Sequence, residues 1–233
     1  MMKVRFDSPN SNLMILLIRN KTRRSISIIT KNNMKLTPKI QQAINSASYL
    51  HSGQARKGDD SLPYISHPFS VAWILSNYTD DEDIIVSGLL HDVLEDVKDY
   101  YYPDMVRDFG ERVAQIVKGV SEDKDPNIES DNKATWEERK TKYLNGLEHD
   151  SEESLMVCAA DKIHNLQSMI DDYQEKGEGL WEIFNSSKEK KFWFYGEVLN
   201  FLKVKSTIRS LEMFIKYCWN SFIDLAIASS LLF

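Results

Sequence analysis

Two polar pairs interrupt an otherwise apolar stretch with helical character, Leu89-Leu90-His91-Asp92-Val93-Leu94-Glu95-Asp96. Glu95 follows His91 by four residues, and the same interval separates Asp92 from Asp96. This spacing places the four side chains in two rows on one side of a helix. Burying several ionisable groups beside leucines and valines is costly unless a cation or hydrogen bonds compensate.

We therefore interpret His91 and Asp92 as ligands of a divalent metal ion. Glu95 and Asp96 would then be placed to take a proton from water. A single His-Asp pair is weak support, because the dipeptide recurs at His149-Asp150. There Asp150 and Glu153 have the spacing of a capping box that opens a helix, so we assign that pair to structure.

Two further residues extend the candidate ligand set. Asp161 lies in the middle of a predicted helix among small and apolar neighbours, where an unpartnered aspartate would be expensive. His67 precedes Pro68 at the entry to another helix, a place where a lone histidine is more commonly a cap or a core residue. The four candidates offer nitrogen and oxygen donors without a thiolate, a set that suits manganese better than zinc or iron.

A basic cluster, Arg56-Lys57-Gly58, closes the first predicted helix. Its spacing alone favours a structural role, in which the cations complement the helix dipole and the glycine ends the helix. The alternative is a clamp for a phosphate or a purine face, because guanidinium both forks onto oxygens and stacks on rings.

The pattern of apolar residues along the sequence predicts one all-α domain over residues 37–205. Thr37-Pro38 is an N-cap and first-turn pair, and apolar residues then recur at intervals of three and four. Further helices are expected near His67, from Asp80 onward, and at four later places: 103–109, 111–118, 133–147 and 151–174. One or two more should follow Leu180. No stretch shows the strict alternation of a half-buried strand, and we expect loops at 57–63 and 121–132.

Composition narrows the classes of function. The 233 residues carry a net charge of −6, which gives no global basic field for nucleic acid. Two cysteines are too few for a disulfide framework and favour a reducing compartment, with the cytoplasm as the default. Residues 1–35 hold eight Lys or Arg against one acid, which leaves −13 on the remainder. We expect residues 1–36 to form a flexible basic extension, with organelle targeting or membrane-surface contact as alternatives.

The C-terminal segment 206–233 is the most apolar part of the chain. From Met213 to Phe233, 15 of 21 residues are apolar, but Lys216 and Asp224 interrupt the run. Charges near the middle of a membrane span are costly, so we favour a helix that packs on the domain or in an interface, including that of a homodimer.

Five motifs, in this order, resemble the hydrolase domain of the RelA/SpoT family, an HD-superfamily phosphohydrolase: His51-Ser52-Gly53-Gln54-Ala55-Arg56-Lys57, Pro63-Tyr64-Ile65-Ser66-His67-Pro68, Leu90-His91-Asp92-Val93-Leu94-Glu95-Asp96, Phe109-Gly110 and Ala160-Asp161-Lys162-Ile163-His164-Asn165-Leu166. The resemblance covers about residues 37–205. The ordered set is far more specific than any single motif. With no synthetase domain following, the chain resembles the small standalone alarmone hydrolases of that family.

The resemblance implies a role for each matching position. Four positions match the ligands of one Mn²⁺ per site: His67, His91, Asp92 and Asp161. Two match the acidic pair that activates the attacking water: Glu95 and Asp96. Four match or adjoin nucleotide contacts: Arg56, which packs on the guanine base, Lys57, Tyr64 and Asn165. His51 is typical of its motif and is interpreted as support for the site, whereas His164 is given no role.

The implied reaction removes the 3′-pyrophosphate from guanosine tetra- or pentaphosphate (ppGpp or pppGpp), leaving GDP or GTP and pyrophosphate. Basic side chains would neutralise the phosphates; the candidates are Lys162, Arg139, Lys140 and Lys142. Two alternatives stay open. The same site could act on another nucleotide, such as the 2′-phosphate of NADPH, or the chain could be an antitoxin-type binding partner of an alarmone synthetase.

Overall fold

The computed structural model describes residues 2–3, 14–20, 23–29, 35–122 and 135–204, together with positions 216, 220 and 223. The chain separates into two compact units, Met1–Lys35 and Leu36–Phe233. The predicted helix over 206–233 lies outside the described residues apart from those three positions. Most of the predicted loop 121–132 also lies outside them.

The first unit contains an antiparallel sheet of three strands in the order β1-β2-β3: β1 (Met2–Lys3), β2 (Met14–Asn20) and β3 (Arg23–Ile29). Leu16 pairs with Ser27 in this register. The sequence analysis found no stretch with the strict alternation of a half-buried strand and so did not anticipate this sheet. Ser25-Ile26-Ser27-Ile28 has the two-residue alternation of a strand, although too briefly to stand out within a basic segment. The expected flexibility of residues 1–36 stays a prediction.

Helices make up most of the described part of the second unit, which confirms the all-α fold class predicted for the domain. The α-helices are α1 (Pro38–Leu50), α2 (Ser66–Ser76), α3 (Glu82–Leu90), α4 (Val93–Asp96), α5 (Tyr102–Phe109), α6 (Glu111–Val120), α7 (Trp136–Leu147), α8 (Glu152–Lys176) and α9 (Lys188–Val204). A 3-10 helix over Gly177–Ile183 links the last two.

Side-chain caps set three of the helix starts. The Thr37 hydroxyl accepts a hydrogen bond from the Ile40 amide (3.2 Å), and the Asp81 carboxylate accepts one from the Asp83 amide (3.0 Å). At α8 the cap is Ser151, whose hydroxyl accepts from the amide of Ser154 at 3.1 Å. The predicted capping box at Asp150 is thus wrong by one residue, because the serine hydroxyl is the group that reaches the free amide.

Helix α3 forms the centre of the core. All its residues from Ile84 to Leu90 are buried, and it contacts α1, α2, α6 and α8. Gly88 allows α2 to approach closely, since a Cβ there would lie 2.5 Å from Leu75 Cδ1. The polar residues that follow α3, His91 and Asp92, are consequently held next to several packed helices.

Most of the predicted loop over 57–63 is a strand, β5 (Asp59–Pro63), which pairs antiparallel with β4 (Ala55–Arg56) just before the loop. Gly58 provides the turn with φ of +86°, a conformation that favours glycine. Below the turn, the Tyr64 amide donates to the Gln54 carbonyl at 2.9 Å. This pairing fixes Arg56 and Tyr64 on the same hairpin, in front of α8.

Within the described part of the chain, no helix has both the length and the apolar character needed to cross a membrane.

Candidate active site

Four elements of the second unit bring the predicted metal ligands together. His91 and Asp92 form the turn between α3 and α4, His67 lies in the first turn of α2, and Asp161 lies midway along α8. The single helix predicted through residue 96 is thus two helices, since α3 ends at Leu90 and α4 begins at Val93.

Three of these side chains form a compact donor set. Ligand atoms of His67, His91 and Asp161 all lie within 4.8 Å of one another, and all three residues are buried. His67 Nε2 is 3.1 Å from Asp161 Oδ1, and His91 Nε2 is 3.9 Å from the same oxygen. Two imidazole nitrogens and a carboxylate that converge in this way can hold a divalent cation.

Asp92 lies at the edge of the same set. Its Oδ2 is 3.0 Å from His91 Nε2 and 3.6 Å from His67 Nε2. The Tyr64 hydroxyl donates a hydrogen bond to this oxygen at 2.5 Å. All four predicted ligands are therefore close together, with one oxygen of Asp92 oriented by Tyr64.

The chemistry of His91 fits a bound cation. Its Nδ1 donates to the Gly88 carbonyl at 2.9 Å, which directs Nε2 at the cluster. That buried Nε2 atom faces Asp92 Oδ2 at 3.0 Å and Asp161 Oδ1 at 3.9 Å, without a well-directed hydrogen bond to either carboxylate. A buried ring nitrogen that faces two carboxylates in this way has the position of a metal ligand.

The charges of the cluster stabilise one another. Burial raises the pKa of the Asp161 carboxyl, but Lys162 and His67 outweigh burial and hold that pKa well below its ordinary value. Burial likewise raises the pKa of Asp92, but His91 outweighs burial and holds that pKa below its ordinary value. Both carboxylates are therefore anionic, as metal ligands must be.

His164 is a member of the site that the sequence analysis left without a role. Its Nδ1 lies 2.8 Å from His67 Nδ1, so one ring must donate to the other. Burial lowers the pKa of His164 to about 3, helped by His67 and Arg56, so this ring is neutral. If His67 Nε2 is a ligand, its Nδ1 carries the proton and donates to His164, which fixes the tautomer. The sequence did offer one sign of this role: His164 follows Asp161 by three residues, which puts the two side chains on one face of α8.

The two predicted catalytic carboxylates lie beside the cluster on α4. The Glu122 amide donates to Glu95 Oε2 at 3.0 Å, and Asp96 Oδ2 is 3.5 Å from the Tyr64 hydroxyl. The Asp96 backbone carbonyl accepts from Gln54 Nε2 at 3.2 Å. His51 Nδ1 in turn donates to Gln54 Oε1 at 2.8 Å, so His51 reaches the end of α4 through one intervening side chain.

The predicted substrate contacts form the opposite wall. Arg56 Nη2 donates to Asn165 Oδ1 at 3.1 Å, and the Asn165 amide donates to Asp161 Oδ1. The Arg56 guanidinium lies 5.7 Å from the centre of the Tyr64 ring. Arg56 is thus tied to a candidate metal ligand through a single asparagine.

Two adjoining cavities share this wall. The inner cavity, of about 150 Å³, contains the metal cluster, and the outer one, of about 320 Å³, extends from it toward α7 and α9. Lys57 lines only the outer cavity, together with residues that the sequence analysis did not single out, among them Trp136, Phe184, Lys191 and Phe194. Their distance along the chain from the five motifs hid them. They reach the site because α9 packs on both α7 and α8, and because the segment between α8 and α9 folds back on α8.

Three of the four predicted phosphate-neutralising cations line the outer cavity: Lys162, Arg139 and Lys140. Lys142 does not line it, since its side chain is exposed on α7. Glu122 pairs with Arg139 Nη1 at 2.9 Å and also with the Lys140 ammonium. This acid, missed in the sequence, ties the segment after α6 to α7.

Comparison with known proteins agrees with this geometry. The family model described as "HD domain" matches residues 43–184, which is more than half of the chain. The chain belongs to the HD-domain family. The resemblance to the RelA/SpoT hydrolases is confirmed too, because curated members of that group are similar in sequence to this HD-domain protein.

Two curated relatives show the range of that resemblance. The guanosine-3′,5′-bis(diphosphate) 3′-pyrophosphohydrolase MESH1 of Danio rerio is 35% identical over 140 residues, which cover 59% of this chain and 72% of the relative. The bifunctional (p)ppGpp synthase/hydrolase SpoT of Escherichia coli is 34% identical over 131 residues, or 56% of this chain but 18% of its own length. The HD-domain chain thus matches a small part of the bifunctional enzyme.

Solved structures extend the comparison to the fold. A metazoan orthologue of SpoT, described as hydrolysing ppGpp, superposes with a TM-score of 0.64 at 26% identity, covering 81% of this chain and 97% of that one. A protein of Listeria monocytogenes superposes with a TM-score of 0.54 at 25% identity, covering 66% and 99%. The HD-domain fold assigned from the sequence is confirmed.

Proposed function

We propose that this HD-domain protein is a manganese-dependent hydrolase that removes the 3′-pyrophosphate of ppGpp and pppGpp, giving GDP or GTP and pyrophosphate. One observation supports this above the others: the buried His67-His91-Asp161 donor set opens onto the same cavity that Glu95 and Asp96 line. Relatives that bear the name of this activity share the chain's fold and motifs.

The ligand assignment follows from the donor types. We assign the ion to His67, His91, Asp92 and Asp161, which offer nitrogen and oxygen atoms of the kind that manganese accepts. When bound there, a divalent cation would polarise the phosphate and lower the pKa of water. Tyr64 and His164 would orient two of its ligands through the hydrogen bonds described above.

The acidic pair handles the proton of the attacking water. The water oxygen forms a bond to the phosphorus that is attached to the 3′ oxygen, and Glu95 with Asp96 accepts the proton released. The bond between that phosphorus and the 3′ oxygen breaks, the 3′ oxygen gains a proton, and pyrophosphate leaves. The Glu122 amide holds Glu95 in place during this step.

The nucleoside lies on the Arg56 side of the cavity in this proposal. Arg56 packs on the guanine face, and its hydrogen bond to Asn165 keeps the guanidinium plane in a fixed orientation. Lys162 and Lys140 neutralise the phosphates near the metal centre, since both line the inner cavity.

The test is release of pyrophosphate from ppGpp by the purified chain, with and without Mn²⁺, with NADPH as a competing substrate. We expect manganese-dependent pyrophosphate release with GDP as the second product. Free phosphate from NADPH alone would replace the proposed substrate with the alternative nucleotide. A chain that is silent on both substrates but binds an alarmone synthetase would favour the antitoxin-type alternative.

A further inference from the structure

Lys191 belongs to the outer cavity and not to the metal centre. It lies on α9 and lines the outer cavity, whereas it is absent from the lining of the inner one. Its ammonium is 4.3 Å from the centre of the Phe184 ring and 5.9 Å from that of Trp136. The cation therefore sits on an aromatic wall in the part of the cavity that the metal centre does not reach.

Three of the other cations that line the outer cavity, Arg139, Lys140 and Lys162, have carboxylate partners. Lys162 pairs with Asp161 at 2.5 Å, and Lys140 pairs with Glu122. Lys191 forms no ion pair with any residue that the structure describes; its contacts are with the two rings. Its charge is therefore available to an anion that enters the cavity.

The surroundings of Lys191 are electrostatically unfavourable to a bare ammonium. Burial lowers the pKa of Lys191, and the charges of Lys140, Lys57 and Lys162 lower it further, to about 7. These three cations face it from α7, from the β4–β5 hairpin and from α8, and Glu122 opposes them. An anion bound among these groups would relieve their mutual repulsion.

We propose that Lys191 binds the phosphate group at the end of the substrate remote from the metal centre, the 5′-diphosphate of a nucleotide that also carries phosphate on its 3′ oxygen. This inference rests on the proposed function and extends it, because it makes the 5′-phosphates a requirement for tight binding. The enzyme then selects nucleotides with phosphates at both ends.

GDP and guanosine are the probes that isolate this contact, measured by titration calorimetry on the full chain with a chelator present. The chelator keeps the GDP phosphates from being drawn to a metal ion. We expect Lys191→Met to weaken GDP binding about tenfold or more, because a charge-assisted hydrogen bond is lost, and to change guanosine binding less than about twofold. Lys191→Arg should retain most of the GDP affinity.

Lys190→Met is the matched control, because Lys190 is a neighbouring exposed lysine that pairs with Glu137 at 2.9 Å outside the cavity. It should bind both probes like the unaltered chain. Equal loss of GDP and guanosine affinity in Lys191→Met, or no loss of either, would overturn the proposal.

Proton uptake gives a second readout. Because the bound diphosphate favours the charged ammonium, GDP binding near pH 8 should take up protons, and the heat of binding should change with the ionisation enthalpy of the buffer. Lys191→Met should remove most of this buffer dependence. Undiminished proton uptake in that variant would show that another group responds to the phosphates.

The Lys191 site and the proposed reaction can fail independently of each other in these experiments. If the unaltered chain fails to hydrolyse ppGpp but Lys191→Met selectively loses GDP affinity, the proposed reaction fails and the anion site stands. If ppGpp is hydrolysed and the Michaelis constants for guanosine 3′-diphosphates with and without 5′-phosphates are equal, the reaction stands and the Lys191 site fails.

Discussion

Residues of the metal cluster divide into those that offer donor atoms and those that orient them. Tyr64 belongs to the second group, since its hydroxyl donates to Asp92 Oδ2 at 2.5 Å. Burial raises the pKa of Tyr64, and the charges of Asp92 and Asp96 raise it further, so the hydroxyl keeps its proton. Removing such an orienting bond weakens a metal site without removing a ligand.

Glu95→Gln should separate catalysis from metal binding. We expect turnover to fall by about 10²–10⁴-fold, because the carboxylate that accepts the proton is lost, while manganese content stays unchanged. Asp161→Asn should lose both. Metal analysis and pyrophosphate release on the two variants check this, and equal metal loss in both would contradict the division between ligands and catalytic pair.

Tyr64→Phe should lower manganese affinity by about 10–100-fold, since Asp92 loses the bond that orients it while the ring remains. Calorimetric titration of Mn²⁺ is the measurement. Tyr49→Phe, at an exposed site on α1, is the control and should change nothing. An unaltered metal affinity with a raised Michaelis constant would return Tyr64 to a role in substrate binding only.

At the scale of elements, close packing of α2 on α3 decides where His67 and His91 meet. Gly88 lies at this contact, one turn before His91, and its carbonyl accepts the His91 Nδ1 proton. A methyl group there would meet Leu75 Cδ1 at 2.5 Å and the Ala72 backbone at 3.4 Å. The contact has little room to adjust because α3 is buried on all sides.

Gly88→Ala should destabilise the fold by about 1–3 kcal/mol, the usual cost of overpacking, and should weaken metal binding by separating the two histidines. Gly146→Ala is a matched control in α7, where no atom lies within 4 Å of an added Cβ. It should stabilise the chain by about 0.5–1 kcal/mol through helix propensity. Denaturant unfolding of both variants tests the pair, and a neutral Gly88→Ala would show that α2 can move away.

At the scale of the whole molecule, an acidic body surrounds a basic cavity. Residues after 35 carry a net charge of −13, yet the outer cavity is lined by six Lys or Arg against four acids. Concentrating cations in one place costs stability, and natural sites accept that cost where a ligand needs it. Among the described residues, Lys191 shows this cost in stability most clearly, because burial and neighbouring cations lower its pKa to about 7.

Lys191→Met should therefore stabilise the fold near neutral pH. The pKa of Lys191 is about 7 in the folded chain and 10.5 ordinarily, so the unfolded chain binds more protons between these values and stability rises with pH across that window. The variant lacks this dependence. Its melting temperature should exceed that of the unaltered chain most below pH 7 and least near pH 10, with each kcal/mol worth about 2–4 °C.

Thermal unfolding from pH 6 to pH 10 checks this prediction, with Lys190→Met as the control that should follow the unaltered chain. A constant difference between Lys191→Met and the unaltered chain at all pH values would attribute the effect to packing on Phe184 rather than to charge.

The sequence by itself determined the helices, the family and the cluster of His and Asp residues. Amphipathic periodicity and caps such as Thr37 are local, and buried ionisable residues such as Asp161 are conspicuous within a single helix. The strands β2 and β3 were missed because their alternation is short, and the Ser151 cap was misplaced by one residue because neighbouring polar side chains compete for one amide.

Only the tertiary structure decided which distant side chains complete the cavity. Lys191 and Glu122 meet the motif residues through the packing of separate elements, and their neighbours along the chain give little sign of it. The contact of His164 with His67 likewise joins α8 to α2. Whether Lys191 has a carboxylate partner depends on the directions of α7, α8 and α9 together. Such directions follow from the sum of many weak contacts across the core, which no local pattern of residues encodes.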